Sequence, residues 1–164
     1  MKKGFTMIEL IFVIVILGVL ASVAIPRLAA TRDDAEVAKA ATNLTTAVSD
    51  ITAYYTAKGT FSANQKSDFS KITNALNKKG ELKVKGDKTC VKVTLPENAM
   101  TGGTTQATQS DTVKLTLTFI PTADPVCKQL TKLPGILTMC GKDTTSSLTG
   151  DCTIQIGGSG GIQF

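Results

Sequence analysis

The sequence predicts an α+β fold in which one long N-terminal helix precedes a small antiparallel sheet. Three patterns predict this fold. Residues 5–25 are predominantly apolar and carry a single charge, at Glu9. From residue 37 onward, apolar residues recur every three or four positions, as in an amphipathic helix. Segments 90–95 and 112–120 alternate apolar and polar residues, as strands with one buried face do. We therefore expect the apolar half of the helix to protrude and the amphipathic half to pack on the sheet.

The apolar run is long enough to cross a membrane. At about 1.5 Å of rise per residue, its length is roughly 31 Å, close to the roughly 30 Å hydrocarbon core of a bilayer. A carboxylate inside such a span costs about 2.5 to 3.5 kcal/mol, so Glu9 is a candidate functional residue that requires a cationic partner. Two other interpretations are open. A secretory signal could be cut near residues 22–24, and a plain membrane anchor would explain the length but not Glu9.

The first ten residues contain a recognisable motif. The sequence KKGFTMIEL at residues 2–10 resembles the leader and mature start of the type IV pilin superfamily, with Met7 at a position where leucine is common. The resemblance implies that a prepilin peptidase cuts after Gly4 and that Phe5 is then N-methylated. It also implies that Glu9 of one copy meets the N-terminal amine of a neighbour inside a filament.

The residue types suit this chemistry. Glycine at position 4 leaves the scissile backbone accessible, because it has no side chain. Phe5 and Glu9 are four residues apart and share one helix face. Pro26 removes a backbone hydrogen bond from the long helix. The resemblance implies that the helix opens between Gly18 and Pro26 in assembled filaments.

The chain is expected to divide into four segments: a leader at 1–4, an apolar transmembrane and assembly helix at 5–26, an amphipathic helix half at 27–58, and a periplasmic globular domain at 59–164. The sequence has no histidine, the commonest residue for general base catalysis and metal binding, so we expect no enzyme activity, no metal site and no cofactor.

Beyond Pro26 the predicted helix has one apolar stripe. Its members are Val37, Ala41, Leu44, Val48, Ile51 and Tyr55. Gly59 is expected to end the helix. A short helix is predicted from Ser67 or Asp68 to Gly80.

Further elements are predicted toward the C-terminus. Asp124 and Pro125 resemble an N-cap and a first helical position, predicting a helix to about Lys132. A strand at 152–156 precedes a glycine-rich turn and a final edge segment. Exposed polar loops are expected at 101–111 and 142–151.

All four cysteines, Cys90, Cys127, Cys140 and Cys152, lie beyond the helix and include no C-x-x-C pair. Disulfides formed in an oxidising compartment explain them better than a zinc site does. Four cysteines allow three pairings. Closure of the nearer loop costs the least entropy, which favours Cys140 with Cys152 and Cys90 with Cys127.

A basic cluster lies at residues 78–92. It consists of Lys78, Lys79, Lys83, Lys85, Lys88 and Lys92. These side chains could contact nucleic-acid phosphates, yet the cluster has no arginine and no aromatic residue for base stacking. A solvated lysine face is the simpler interpretation. The net charge of +5 falls to +3 once Lys2 and Lys3 leave with the leader.

The resemblance implies a structural subunit of a type IV pilus-like filament. Its partners would be a prepilin peptidase and other pilin copies. It would reside first in the bacterial inner membrane, with its globular domain in the periplasm, and then in an extracellular or periplasmic filament. A type II secretion pseudopilin carries the same motif, while the cysteine-bounded loop resembles that of many pilins. A minor pilin and a membrane-anchored module that contacts DNA or surfaces are further alternatives.

Overall fold

The computed structural model describes residues 4–100 and 112–157. In chain order its elements are α1 (Met7–Lys58), β1 (Glu81–Val84), β2 (Lys88–Thr94), β3 (Val113–Phe119), α2 (Pro125–Leu130), α3 (Pro134–Met139) and β4 (Gly150–Gly157). The fold is α+β, as the sequence predicts. The predicted loop at 101–111 and the predicted edge segment after residue 157 lie outside the described residues. The chain divides into two compact units, one ending at Ala35 and the other beginning at Glu36.

The second half of α1 buries one stripe of side chains. Val37, Leu44 and Ile51 are buried as predicted, whereas Ala41, Val48 and Tyr55 are only partly buried. Ala40 and Ala47 complete the buried line, and the sequence pattern missed them. Small alanines on this line allow close packing against the rest of the unit. The helix ends before Gly59, which has a positive φ of 72°, as expected of a C-terminal glycine.

The four strands form one sheet in the order β1-β2-β3-β4, and each neighbouring pair is antiparallel. The odd-numbered residues of β3, from Val113 to Phe119, are all buried, and the even-numbered residues between them are not. The predicted alternation of this strand is therefore confirmed. The opposite face is polar: Thr116 lies between Thr94 of β2 and Thr153 of β4.

The predicted helix from residue 68 to Gly80 is wrong. Asp68 does act as an N-cap, because its carboxylate accepts the Ser70 N–H at 3.0 Å, but only a short 3₁₀ turn follows at Phe69–Lys71. The hydroxyl of Thr73 then accepts the Ala75 N–H, and the amide oxygen of Asn77 accepts two further N–H groups. Side-chain acceptors of this kind compete with the helical hydrogen-bond pattern.

Three further differences concern the short elements. The helix that Asp124 caps ends at Leu130 rather than near Lys132, and α3 and β1 were not predicted. At six and four residues, α3 and β1 are too short for a periodic pattern to emerge. Asp124 accepts the Val126 N–H at 2.9 Å, so the predicted cap itself is correct.

Two disulfides link the second unit. Cys90 pairs with Cys127 and Cys140 with Cys152, with Cα–Cα distances of 5.0 and 5.5 Å. This is the pairing that loop-closure entropy favours. Cys90 is the extra residue of a β-bulge in β2, because Leu82 pairs with Val91 while the next residue of β1 pairs with Thr89. Bulges redirect side chains, and this one accompanies the covalent link from the sheet to α2.

Candidate functional site

The start of α1 has a reciprocal cap formed by two side chains. The Thr6 N–H and the Thr6 hydroxyl both donate to Glu9 Oε2, at 2.8 and 2.6 Å. In return, the Glu9 N–H donates to Thr6 Oγ1 at 3.4 Å. The first helical bond runs from the Leu10 N–H to the Thr6 carbonyl at 3.3 Å. Thr6 and Glu9 therefore form a capping box, which satisfies donors that a helix N-terminus otherwise leaves unpaired.

This cap holds the Glu9 carboxylate at the N-terminal end of the helix, close in sequence to Phe5. The sequence prediction gave Glu9 a cationic partner, whereas among the described residues the hydrogen bonds to its carboxylate come from Thr6. Two hydrogen bonds reduce the cost of keeping a carboxylate in apolar surroundings. Thr6 is not among the predicted site residues, although the spacing T-x-x-E at residues 6–9 is the sequence signal for such a cap.

The apolar side chains that follow Glu9 face away from any protein core. Large hydrophobic residues between Phe5 and Leu28 are 45% to 90% exposed. Within the described residues, α1 is the one helix that is long and apolar enough to cross a membrane, judged by length and composition. Its most apolar window has a mean hydropathy of 2.9, and none of that window is buried in the protein. Exposed apolar side chains over such a length fit the anchoring of this stretch in a membrane.

Gly18 and Pro26 both lie inside the continuous helix α1. Proline has no N–H, so the Ser22 carbonyl, four residues earlier, lacks its usual helical donor. The Ser22 hydroxyl donates to the Val19 carbonyl at 2.7 Å, within the same interval. A methyl group added at Gly18 would meet no neighbouring atom within 4 Å. Pro26 therefore removes one backbone hydrogen bond from this interval, and the opening of the interval in a filament remains a prediction.

Comparison with known families identifies the N-terminal region. A family model described as the prokaryotic N-terminal methylation motif matches residues 1–25. The chain carries the type IV pilin and pseudopilin signature. This signature spans Gly4, Phe5, Glu9 and Gly18 and ends one residue before Pro26. No curated protein and no solved structure matches the chain. The pilin signature therefore concerns the N-terminus, and the remaining residues are characterised by the structure alone.

The lysines of residues 78–92 do not form an isolated positive surface. They are spread over a turn, β1, the hairpin and β2, and three of them lie beside carboxylates. Lys83 Nζ lies 3.1 Å from Asp87, Lys85 Nζ lies 3.3 Å from Asp124, and Lys92 is the cross-strand partner of Glu81. Phosphate groups would have to compete with these carboxylates for the lysines.

One of these contacts also supports α2. The Val126 N–H, and then the nearby Lys85 and Lys88, lower the pKa of Asp124 below its usual range. The carboxylate therefore remains charged at neutral pH and serves both as the N-cap of α2 and as an ion partner of the β1–β2 hairpin. This contact assigns Lys85 a structural role.

Proposed function

We propose that this protein is a structural subunit of a type IV pilus-like filament. A prepilin peptidase removes residues 1–4, the new N-terminus at Phe5 is methylated, and the apolar half of α1 anchors the subunit in the bacterial inner membrane. The subunit then leaves the membrane and joins other copies through this same segment. The globular domain lies in the periplasm before assembly and on the filament surface afterwards.

The observation that carries this proposal is the position of the methylation motif. The motif covers the start of a helix whose large apolar side chains are exposed over residues 5–28. Such a surface is stable in a membrane or against similar helices, and a filament core provides the second environment. An ordinary membrane anchor would use only the membrane.

The capping box suggests how Glu9 serves both environments. In the membrane, the two donors of Thr6 satisfy the carboxylate. In the filament, the amine at Phe5 of a neighbouring copy supplies a positive charge, and an apolar surround makes such a pair much better than either charge alone. Glu9 would thereby fix the axial register of one copy against the next.

Two features bear on the choice between a pilus and a secretion pseudopilus. The Cys140–Cys152 disulfide encloses the loop before β4, and this cysteine-bounded loop favours a pilin. The carboxylates beside the lysines of residues 78–92 weigh against DNA binding. A pseudopilin, a minor pilin and a membrane-anchored binding module remain the alternatives.

Intact mass and N-terminal sequencing of the protein from its native host provide the first test. We expect a chain that begins at methylated Phe5, and a chain that begins at Met1 when the prepilin peptidase is deleted. A chain that begins near Ile25 in both strains would instead identify a secreted domain.

The variant Glu9→Gln tests the assembly step. Glutamine retains an oxygen that can accept the Thr6 hydrogen bonds but carries no charge. We expect normal cleavage and a strong loss of filaments sheared from the cell. Normal filament yield would show that Glu9 acts only as a helix cap. Thr6→Val serves as the control, because it removes the hydroxyl and retains the charge.

A further inference from the structure

A shallow groove runs along the second half of α1, within the unit that begins at Glu36. One wall is formed by Ala41, Thr42 and Thr45 of α1, and the other by residues 133–136 at the start of α3. The groove has a volume of about 280 Å³, and none of the side chains that line it is charged.

The two threonines make this groove more apolar than their type suggests. The Thr42 hydroxyl donates to the Ala38 carbonyl at 2.9 Å, and the Thr45 hydroxyl donates to the Ala41 carbonyl at 2.8 Å. Because both hydroxyl groups donate to the helix backbone, neither has a donor left for a partner, and each retains only its acceptor lone pairs. Pro134 contributes a ring and no N–H. A charged partner would lose hydration here without gaining an ion pair.

The groove is also open to close approach. Gly135 has no side chain, and a Cβ added there would meet no atom within 4 Å. Ala41 on the opposite wall carries only a methyl group. Small residues on both walls allow the backbone of a packed helix to come near, as in helix pairs that meet through glycine and alanine. The groove therefore suits an apolar helix.

We propose that this groove receives side chains from one part of the apolar segment 5–28 of a second copy of the chain. The inference rests on the proposed function and names the surface that faces the assembly helix. Each copy has both the groove and an exposed apolar helix, whose large side chains are 45% to 90% exposed. The two surfaces differ, so the contact is heterologous. Contacts of this kind form open helical polymers when the rotation between copies does not close into a ring.

Gly135→Leu tests the groove without disturbing the fold, because the added side chain enters open space. We expect cleavage after Gly4, methylation and thermal unfolding to match the wild type. We expect the association constant of the contact to fall on the order of tenfold, the effect of about 1.4 kcal/mol, and filament yield to fall with it. Gly135→Ala is the matched control and should assemble nearly normally, since its methyl group leaves most of the groove open.

Coexpression with the wild type tests the direction of the contact. A Gly135→Leu copy can insert its helix into a wild-type groove but cannot receive the next helix. We therefore expect filaments to shorten as the fraction of variant rises. Mixed filaments of normal length, or normal yield from the variant alone, would overturn the proposal and leave the groove to another partner. If the wild type is neither cleaved after Gly4 nor assembled, the proposed function fails, and the groove assignment fails with it.

Discussion

The two halves of α1 have the same secondary structure and opposite surroundings. In the first half, apolar residues lie on every face, and Leu17 is 58% exposed. In the second half, apolar residues form one stripe, and Leu44 is 0% exposed. Helical conformation alone therefore does not decide how much a leucine contributes to the stability of the fold. A leucine stabilises this chain's own fold only where the sheet and the short helices enclose it, and elsewhere its apolar surface is available for a membrane or another copy.

The largest difference between the halves is expected from one pair of substitutions. Leu44→Ala should lower the free energy of unfolding by about 4–5 kcal/mol, because it leaves a cavity in an enclosed site. Leu17→Ala should leave that free energy nearly unchanged. Both are measured by denaturant unfolding in detergent, followed by near-ultraviolet circular dichroism of Tyr54 and Tyr55, which stack on Phe61. Equal losses for the two variants would remove the distinction between the halves.

The disulfides sharpen the comparison, because both lie in the second unit. Cys90 and Cys127 are 37 residues apart, and Cys140 and Cys152 are 12 apart. From loop-closure entropy, replacing each pair by alanine should cost about 3.8 and about 2.8 kcal/mol respectively. Thermal unfolding of the two double variants checks this order. The reverse order would show that native-state strain or residual unfolded structure outweighs loop length.

Two glycines provide a smaller test of the contrast between the second unit and the exposed first half of α1. A Cβ at Gly157 would overlap the ring of Tyr55, so Gly157→Ala should destabilise the second unit by about 1–3 kcal/mol. Gly18→Ala meets no neighbouring atom and should add up to about 1 kcal/mol of helix stability. Unfolding curves compare the two variants. If helix opening at Gly18 matters for assembly, Gly18→Ala should also reduce filament yield while leaving cleavage intact.

The smallest expected effect is a dependence of the second unit's stability on pH. Hydrogen bonds from Ser70, from Lys66 and from Val126 lower the pKa of Asp68, Glu97 and Asp124 respectively. A carboxyl group whose pKa is lower in the folded state stabilises the fold at pH values above its unfolded pKa of about 4. This stabilisation is lost as the pH falls through the folded pKa.

The melting temperature should therefore decline below about pH 4, and Asp124→Asn should flatten part of that decline. The control is Asp143→Asn, at an exposed carboxylate in the loop before β4. A decline of equal slope in wild type and Asp124→Asn would contradict the assignment to Asp124.

Much of the fold follows from periodic patterns in the sequence. The stripe from Val37 to Ile51, the alternation in β3 and the cap at Asp124 each depend on neighbours within one element. Periodicity gave a wrong prediction between residues 69 and 80. There the side chains of Thr73 and Asn77 accept hydrogen bonds from backbone N–H groups that a helix would use. Periodicity also missed α3, whose six residues become a groove wall only beside α1.

The features of the N-terminal site are all visible in contiguous sequence. The motif at residues 2–10, the apolar run and the position of Glu9 are local, because a peptidase, a bilayer and a helix cap each read a short contiguous segment. The tertiary structure was needed to show that Asp124 forms an ion pair with Lys85, and where the groove at Gly135 lies. Those properties depend on residues that are distant in the sequence, and their proximity arises from the packing of the whole unit.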